Sequence, residues 1–155
     1  MENYTILGIV LILICNLIAL VSSNTSENTT KSKVKKNEDE DNAILASIIL
    51  EVEEYNAKVA NYILHGQLEN DYIGVFYDKF IAEVSSKNLH EDDAETVEMV
   101  SSLPYMLELY RQKVREYTYD FRILNEDNKY VWHRAIVTFT KCTDTIVIVI
   151  TVCKI

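Results

Sequence analysis

The residues able to do chemistry in this chain are three histidines, three cysteines, ten tyrosines and a surplus of carboxylates. His65 and His90 have no ligand spacing to a cysteine or to each other, so they read as surface residues and no metal site is expected. His133 is different, because it falls in an alternating stretch that sets it on the same side as Tyr119 and Phe121. These three form the candidate pocket, with an imidazole able to act as a base and a phenol able to donate a hydrogen bond. The competing reading is a hydrogen-bonded core histidine, and no catalytic residue is assigned. Gly8, Gly66 and Gly74 are the only glycines. They make no phosphate loop, and nucleophile elbows and zinc patterns are also missing, so no cofactor is expected.

The elements that must position His133 lie in the last forty residues. Tyr117, Tyr119, Phe121 and Ile123 alternate with Thr118, Asp120 and Arg122, the period of a half-buried strand. A hairpin through Asn125 to Lys129 that sets Leu124 opposite Tyr130 brings Phe121 against His133, Tyr119 against Ala135 and Tyr117 against Val137. On the other face it sets Arg122 against Trp132 and Asp120 against Arg134, a cation over a ring and an opposite-charge pair. Slipping the register by one residue loses both. A second hairpin pairs Cys142 with Thr145, Phe139 with Ile148 and Val137 with Ile150. The unbroken aliphatic run from Ile146 suits a strand covered on both faces or lodged in an oligomer. On this register Cys142 and Cys153 stand at opposite ends of one hairpin, so no disulfide between them is expected.

The N-terminal part reads as targeting and spacer. Residues 1–23 hold an apolar stretch from Thr5 to Val21, which includes Cys15, then small residues fit for cleavage. They form a signal peptide or, alternatively, a signal anchor that tethers the chain to a membrane through residues 5–21. Residues 24–42 are a Ser/Thr/Asn-rich and then charged linker carrying two glycosylation triplets, at Asn28 and Asn24. Residues 43–155 make a single α+β domain. A helix capped by Asp41 or Asn42 is expected to run to about Leu64, with Leu45, Ile48, Val52, Tyr55, Val59 and Tyr62 on one stripe and Gly66 just beyond its end. A second helix is expected near Asn70 and Asp71, carrying Tyr72, Val75, Phe76 and Phe80. A third begins among Glu91, Asp92 and Asp93. Pro104 interrupts the pattern, and residues 105–115 are either helix or strand. The fold class is thus α+β, with N-terminal helices packed on a curved antiparallel sheet formed by the C-terminal third.

The stretch Gln67-Leu-Glu-Asn-Asp-Tyr-Ile-Gly-Val-Phe-Tyr-Asp-Lys-Phe-Ile-Ala-Glu-Val84 resembles the passage from first to second helix in the nuclear transport factor 2-like superfamily. Glu95 to Pro104 is similar to its third helix. The resemblance spans residues 43–155 through the order of elements. It implies a cystatin-like cone, in a superfamily that includes isomerases, dehydratases and non-enzymatic binding domains. Its catalytic members use an Asp or His base with a tyrosine donor in the cone; no position here matches those residue by residue.

A net charge of −9 supplies no basic stripe for phosphates, so nucleic acid is not an expected partner. The function expected is that of a secreted, glycosylated, non-enzymatic interaction module using its sheet face. Its partner would be a protein or a small apolar ligand, and the sheet allows a homo-oligomer. The alternative is a small cone-pocket enzyme of isomerase or hydratase type using His133 with Asp120 or a tyrosine.

Overall fold

Ala46, Ile48, Leu50 and Val52 alternate with Ser47, Ile49 and Glu51, and the chain obeys that period of two from its first described element onward. The computed structural model describes residues 43–84 and 88–155. The proposed leader, the linker and the triplets at Asn24 and Asn28 lie outside them. Ten elements follow in order: β1 (Ile44–Glu53), β2 (Asn56–Leu64), β3 (Gln67–Leu68), a 3₁₀ turn (Asn70–Tyr72), α1 (Tyr77–Val84), α2 (Glu91–Val100), α3 (Leu103–Arg111), β4 (Glu116–Leu124), β5 (Tyr130–Cys142) and β6 (Thr145–Lys154). The fold is α+β. All six strands form one antiparallel sheet in the order β3-β2-β1-β6-β5-β4.

The helix expected up to Leu64 is instead the β1–β2 hairpin, so the sheet is not built by the C-terminal third alone. Two local features make strands imitate a helical stripe. Glu53 pairs with Asn56 across a turn whose Glu54 is left-handed (φ 57°) without a glycine to announce it. The register then slips between Ile49 and Leu50, which face Asn61 and Val59, so Ala60 is a bulge. Together they space the apolar residues by threes and fours. Tyr55, placed on the expected stripe, is 77% exposed at the turn. Gly66, read as a helix end, follows His65 in the β2–β3 turn; both have positive φ (49° and 77°), as a two-residue hairpin of type I′ demands.

Pairing β1 with β6 also takes the aliphatic run from Ile146 away from the edges of the sheet. The last strand of the chain sits inside the sheet with a neighbour on each edge. The C-terminal hairpins keep the expected register throughout: Leu124 faces Tyr130, Phe121 faces His133, Cys142 faces Thr145 and Val137 faces Ile150.

The helices lie on one face of the sheet. Phe80, Met106 and Leu107 from them pack with Leu50, Val59, Ile148 and Val137, all buried. The acids Glu91, Asp92 and Asp93 do open α2, as expected, but its N-cap is His90, whose Nδ1 accepts from the Asp92 amide at 3.2 Å. Residues 103–111 resolve to helix. Ser102 caps α3 and Pro104 falls in its first turn, where a missing N–H costs nothing. The second expected helix is reduced to the 3₁₀ turn and the eight residues of α1. Among the described residues no helix is long and apolar enough to cross a membrane.

Candidate functional site

The pairing of β4 with β5 brings the three candidate residues together on the helix-covered face. The Phe121 and His133 rings stack at 6.2 Å between centroids, and Tyr119 lies 5.7 Å from Phe121. Tyr117 continues the row, 6.1 Å from both Tyr119 and Phe139. Such offset aromatic contacts add to the area they bury. His133 is 8% exposed. Its Nδ1 lies 2.9 Å from the Val131 carbonyl, which can only accept, so Nδ1 carries the proton and Nε2 is the free acceptor. Burial lowers the imidazole below its ordinary pKa. The Val131 bond opposes that shift, while Lys154, directly across on β6, reinforces it.

A proton relay from His133 to Asp120 has no geometry to run through. Asp120 is on the opposite face, holding the Arg134 guanidinium through two bonds of 2.7 and 2.8 Å. The Tyr119 phenol is pushed up to about 12 by burial and finds no hydrogen-bond partner among the described residues. It is a neutral donor at physiological pH, beside a neutral imidazole. No cluster of metal-binding side chains occurs among the described residues.

Two further tyrosines carry structural bonds that the sequence did not single out. The Tyr77 hydroxyl donates to the Ser101 carbonyl at 2.8 Å, and that of Tyr117 to the Val100 carbonyl at 2.6 Å. These are carbonyls at the C-terminal end of α2, where no further turn of helix supplies N–H donors. Desolvation holds both phenols above their ordinary pKa, so they stay protonated and able to donate. The other end of α2 is fixed by Asp93, which accepts from the Arg122 backbone amide at 2.8 Å and from its guanidinium at 2.7 and 2.9 Å. Helix α2 is thereby pinned to the sheet side of the core at both ends. Neither the hydroxyl bonds nor Asp93 had a sequence signal, since each joins residues 17 or more apart in the chain.

The second face of the sheet has no described element over it. Along β6 it presents Val147, Val149 and Thr151, beside Ile49 and Ser47 of β1 and Ile136 of β5. These are half-buried by one another. Towards one end lie Trp132 (48% exposed) and Ile44 (45% exposed). The Arg122 guanidinium covers the Trp132 ring at 5.1 Å. Asn61, opposite Ile49, has a solvent-shielded Oδ1 without a donor among the described residues. Cys142 and Cys153 are free. They stand at the two ends of the β5–β6 hairpin, Cys142 facing Thr145 and Cys153 facing Arg134.

No protein-family model and no curated protein matches the chain. Among solved structures it is similar to the N-terminal domain of a diguanylate cyclase with PAS/PAC sensor from Marinobacter aquaeolei. The identity is 16% and the TM-score 0.39, over 68% of this chain and 92% of that one. The resemblance to the nuclear transport factor 2-like superfamily is drawn over residues 43–155 from the order of elements, with residues 67–84 and 95–104 as its local matches. The first of those stretches forms β3, the 3₁₀ turn and α1, preceded by a hairpin.

Proposed function

We propose that this chain is a secreted, non-enzymatic interaction module that works through the open face of its sheet. The observation that carries the reading is β6, an interior strand that is aliphatic on both sides while helices cover only one. Valine and isoleucine on an uncovered face gain little from folding alone, whereas excluding water from them drives association. The inner face fits a packing role: its histidine is tied to backbone, and its Tyr117, with Tyr77 of α1, caps a helix. The leader and the triplet-bearing linker support export. The mature chain is expected to begin near Asn24 with glycan at Asn28, checked by N-terminal sequencing and glycosidase treatment of the secreted protein. An intact Met1 retained in membranes would favour tethering through residues 5–21.

Hydroxyl-radical footprinting tests the surface. Tyr55, on its exposed turn, serves as the internal standard. Val149 and Ile136 should oxidise far more slowly in the secreted chain than in a Ser47→Arg variant. Equal, fast oxidation in both would mean a face that nothing occupies, and the reading would fall.

A further inference from the structure

We infer that the occupant of the open face is a second copy of this chain, packed sheet against sheet with the strands of the two copies antiparallel. The inference rests on reading that face as an interaction surface. Size comes first. Five strands spaced by about 4.8 Å and about nine residues long at roughly 3.3 Å each present a face of about 700 Å². A stable protein interface takes about 800 Å² from each partner, so this face alone nearly suffices for a dimer.

Shape and charge then select the partner. The face is a broad sheet surface of valine, isoleucine, serine and threonine, which a second sheet matches better than a small ligand that needs a concavity. Its arginines are neutralised within each copy, Arg134 by Asp120 and Arg122 by Asp93. An acidic surface therefore gains little there. The central side chains, Ser47, Ile49, Val149 and Thr151, carry no charge to desolvate.

Glu51 fixes the direction. It lies on this face between Val147 of β6 and Lys58 of β2, whose ammonium pairs with Glu53, and has no ion pair of its own among the described residues; this end is remote from Arg134 and Cys153. Parallel stacking would set two Glu51 carboxylates together. Antiparallel stacking keeps the two carboxylates at opposite ends of the interface, away from one another. The same arrangement places Cys142 of one copy near Cys153 of the other.

Sedimentation velocity of the full chain, as secreted, should give twice the monomer mass. Val149→Arg and Ser47→Arg should each halve it while leaving the circular dichroism spectrum unchanged. Ser47→Arg replaces a small polar residue and so guards against mere misfolding. A short bismaleimide should join Cys142 to Cys153 between copies, and Cys142→Ser should abolish the link; Cys142–Cys142 products would overturn the antiparallel arrangement. A monomer at every concentration, or a dimer indifferent to both arginine variants, overturns the inference. In a monomer, footprinting separates the two failures. Slow oxidation of Val149 would mean that another partner or another part of the chain covers the face, leaving the interaction reading intact. Fast oxidation would remove both.

Discussion

The two faces of this one sheet are made from nearly the same aliphatic residues, yet described helices cover only one of them. Ile148 and Val149 are neighbours on β6; Ile148 is fully buried under the helices, and Val149 points away from them. What separates the faces is their polar chemistry. Beneath the helices Tyr77 of α1 and Tyr117 of β4 donate to helix carbonyls and His133 to Val131, while the Tyr119 hydroxyl has no partner among the described residues. On the outer face Lys58 pairs with Glu53 and Arg134 with Asp120, Glu51 stands without an ion pair among the described residues, and Ser47, Ile49, Val149 and Thr151 carry no charge.

The strongest way to break this comparison is to truncate matched residues on its two sides. Phe80→Ala and Ile148→Ala should cost about 3–5 and 2–5 kcal/mol respectively, from lost burial plus the cavity left behind. Val149→Ala should cost less than about 1 kcal/mol in a chain held monomeric by Ser47→Arg, as surface substitutions do. Urea denaturation gives all three. A Val149 loss as large as that of Ile148 would mean that the outer face is as closed as the inner one.

Next in size is the loss of a single hydroxyl. Tyr77→Phe leaves the ring in place and strands the Ser101 carbonyl in a buried site, which should cost about 1–3 kcal/mol. Tyr117→Phe removes the bond to Val100 from a less buried position and should cost less. If both were neutral, the end of α2 would not depend on the tyrosines.

Much of this was legible in the sequence, for a definite reason. The β4–β5 register followed from two independent constraints, an aromatic row on one side and the Arg122–Trp132 and Asp120–Arg134 pairs on the other, and only one alignment satisfies both. The β1–β2 hairpin had no such additional constraint. Its bulge at Ala60 and the glycine-free turn at Glu54 turned a period of two into spacings of three and four. The alternation of Ala46, Ile48, Leu50 and Val52 with Ser47 and Glu51, broken by Ile49, and the His65-Gly66 pair suited to a type I′ turn were the strand signals present. Tyr119, Phe121 and His133 share the helix-covered face, as the register required, because register alone decides faces. The partners of Tyr77, Tyr117 and Asp93 were not legible, because they depend on how helices cross the sheet, and no local pattern encodes that.

His133 offers a subtler test of the inner face. Its pKa is depressed in the folded chain, so the unfolded chain binds more protons between the folded value and the ordinary value near 6.5. Stability should be fully present above pH 6.5 and decline as pH falls through that window towards the folded value. His133→Leu should flatten this dependence, measured as denaturation midpoints from pH 8 to pH 5. A His133 that titrates at 6.5 in the folded protein, followed by NMR, would place the ring in water and dissolve the distinction between the faces at this strand.

The smallest effects are expected at the rim, where the two arginine pairs differ in shelter. The Asp93 and Arg122 side chains are 15% and 24% exposed, against 36% and 44% for Asp120 and Arg134. Hydrogen bonds from the arginine hold each aspartate below its ordinary pKa. Whatever stability they confer is therefore present above the unfolded value near 3.8 and is lost as pH falls through the lower folded values. Asp93, in the first turn of α2, also accepts the backbone amide of Arg122 on β4, so Asp93→Asn should lower the thermal midpoint at pH 7, with the deficit shrinking on acidification. Asp120→Asn should leave the midpoint of the Ser47→Arg monomer unchanged within error, because solvent and salt already screen that pair. In the unmodified chain the same substitution probes the contact itself. If Asp120→Asn becomes costly only where Ser47 is intact, the rim is desolvated by a partner. An equal, negligible cost in both backgrounds would keep Asp120 in water and confine any contact to the middle of the face.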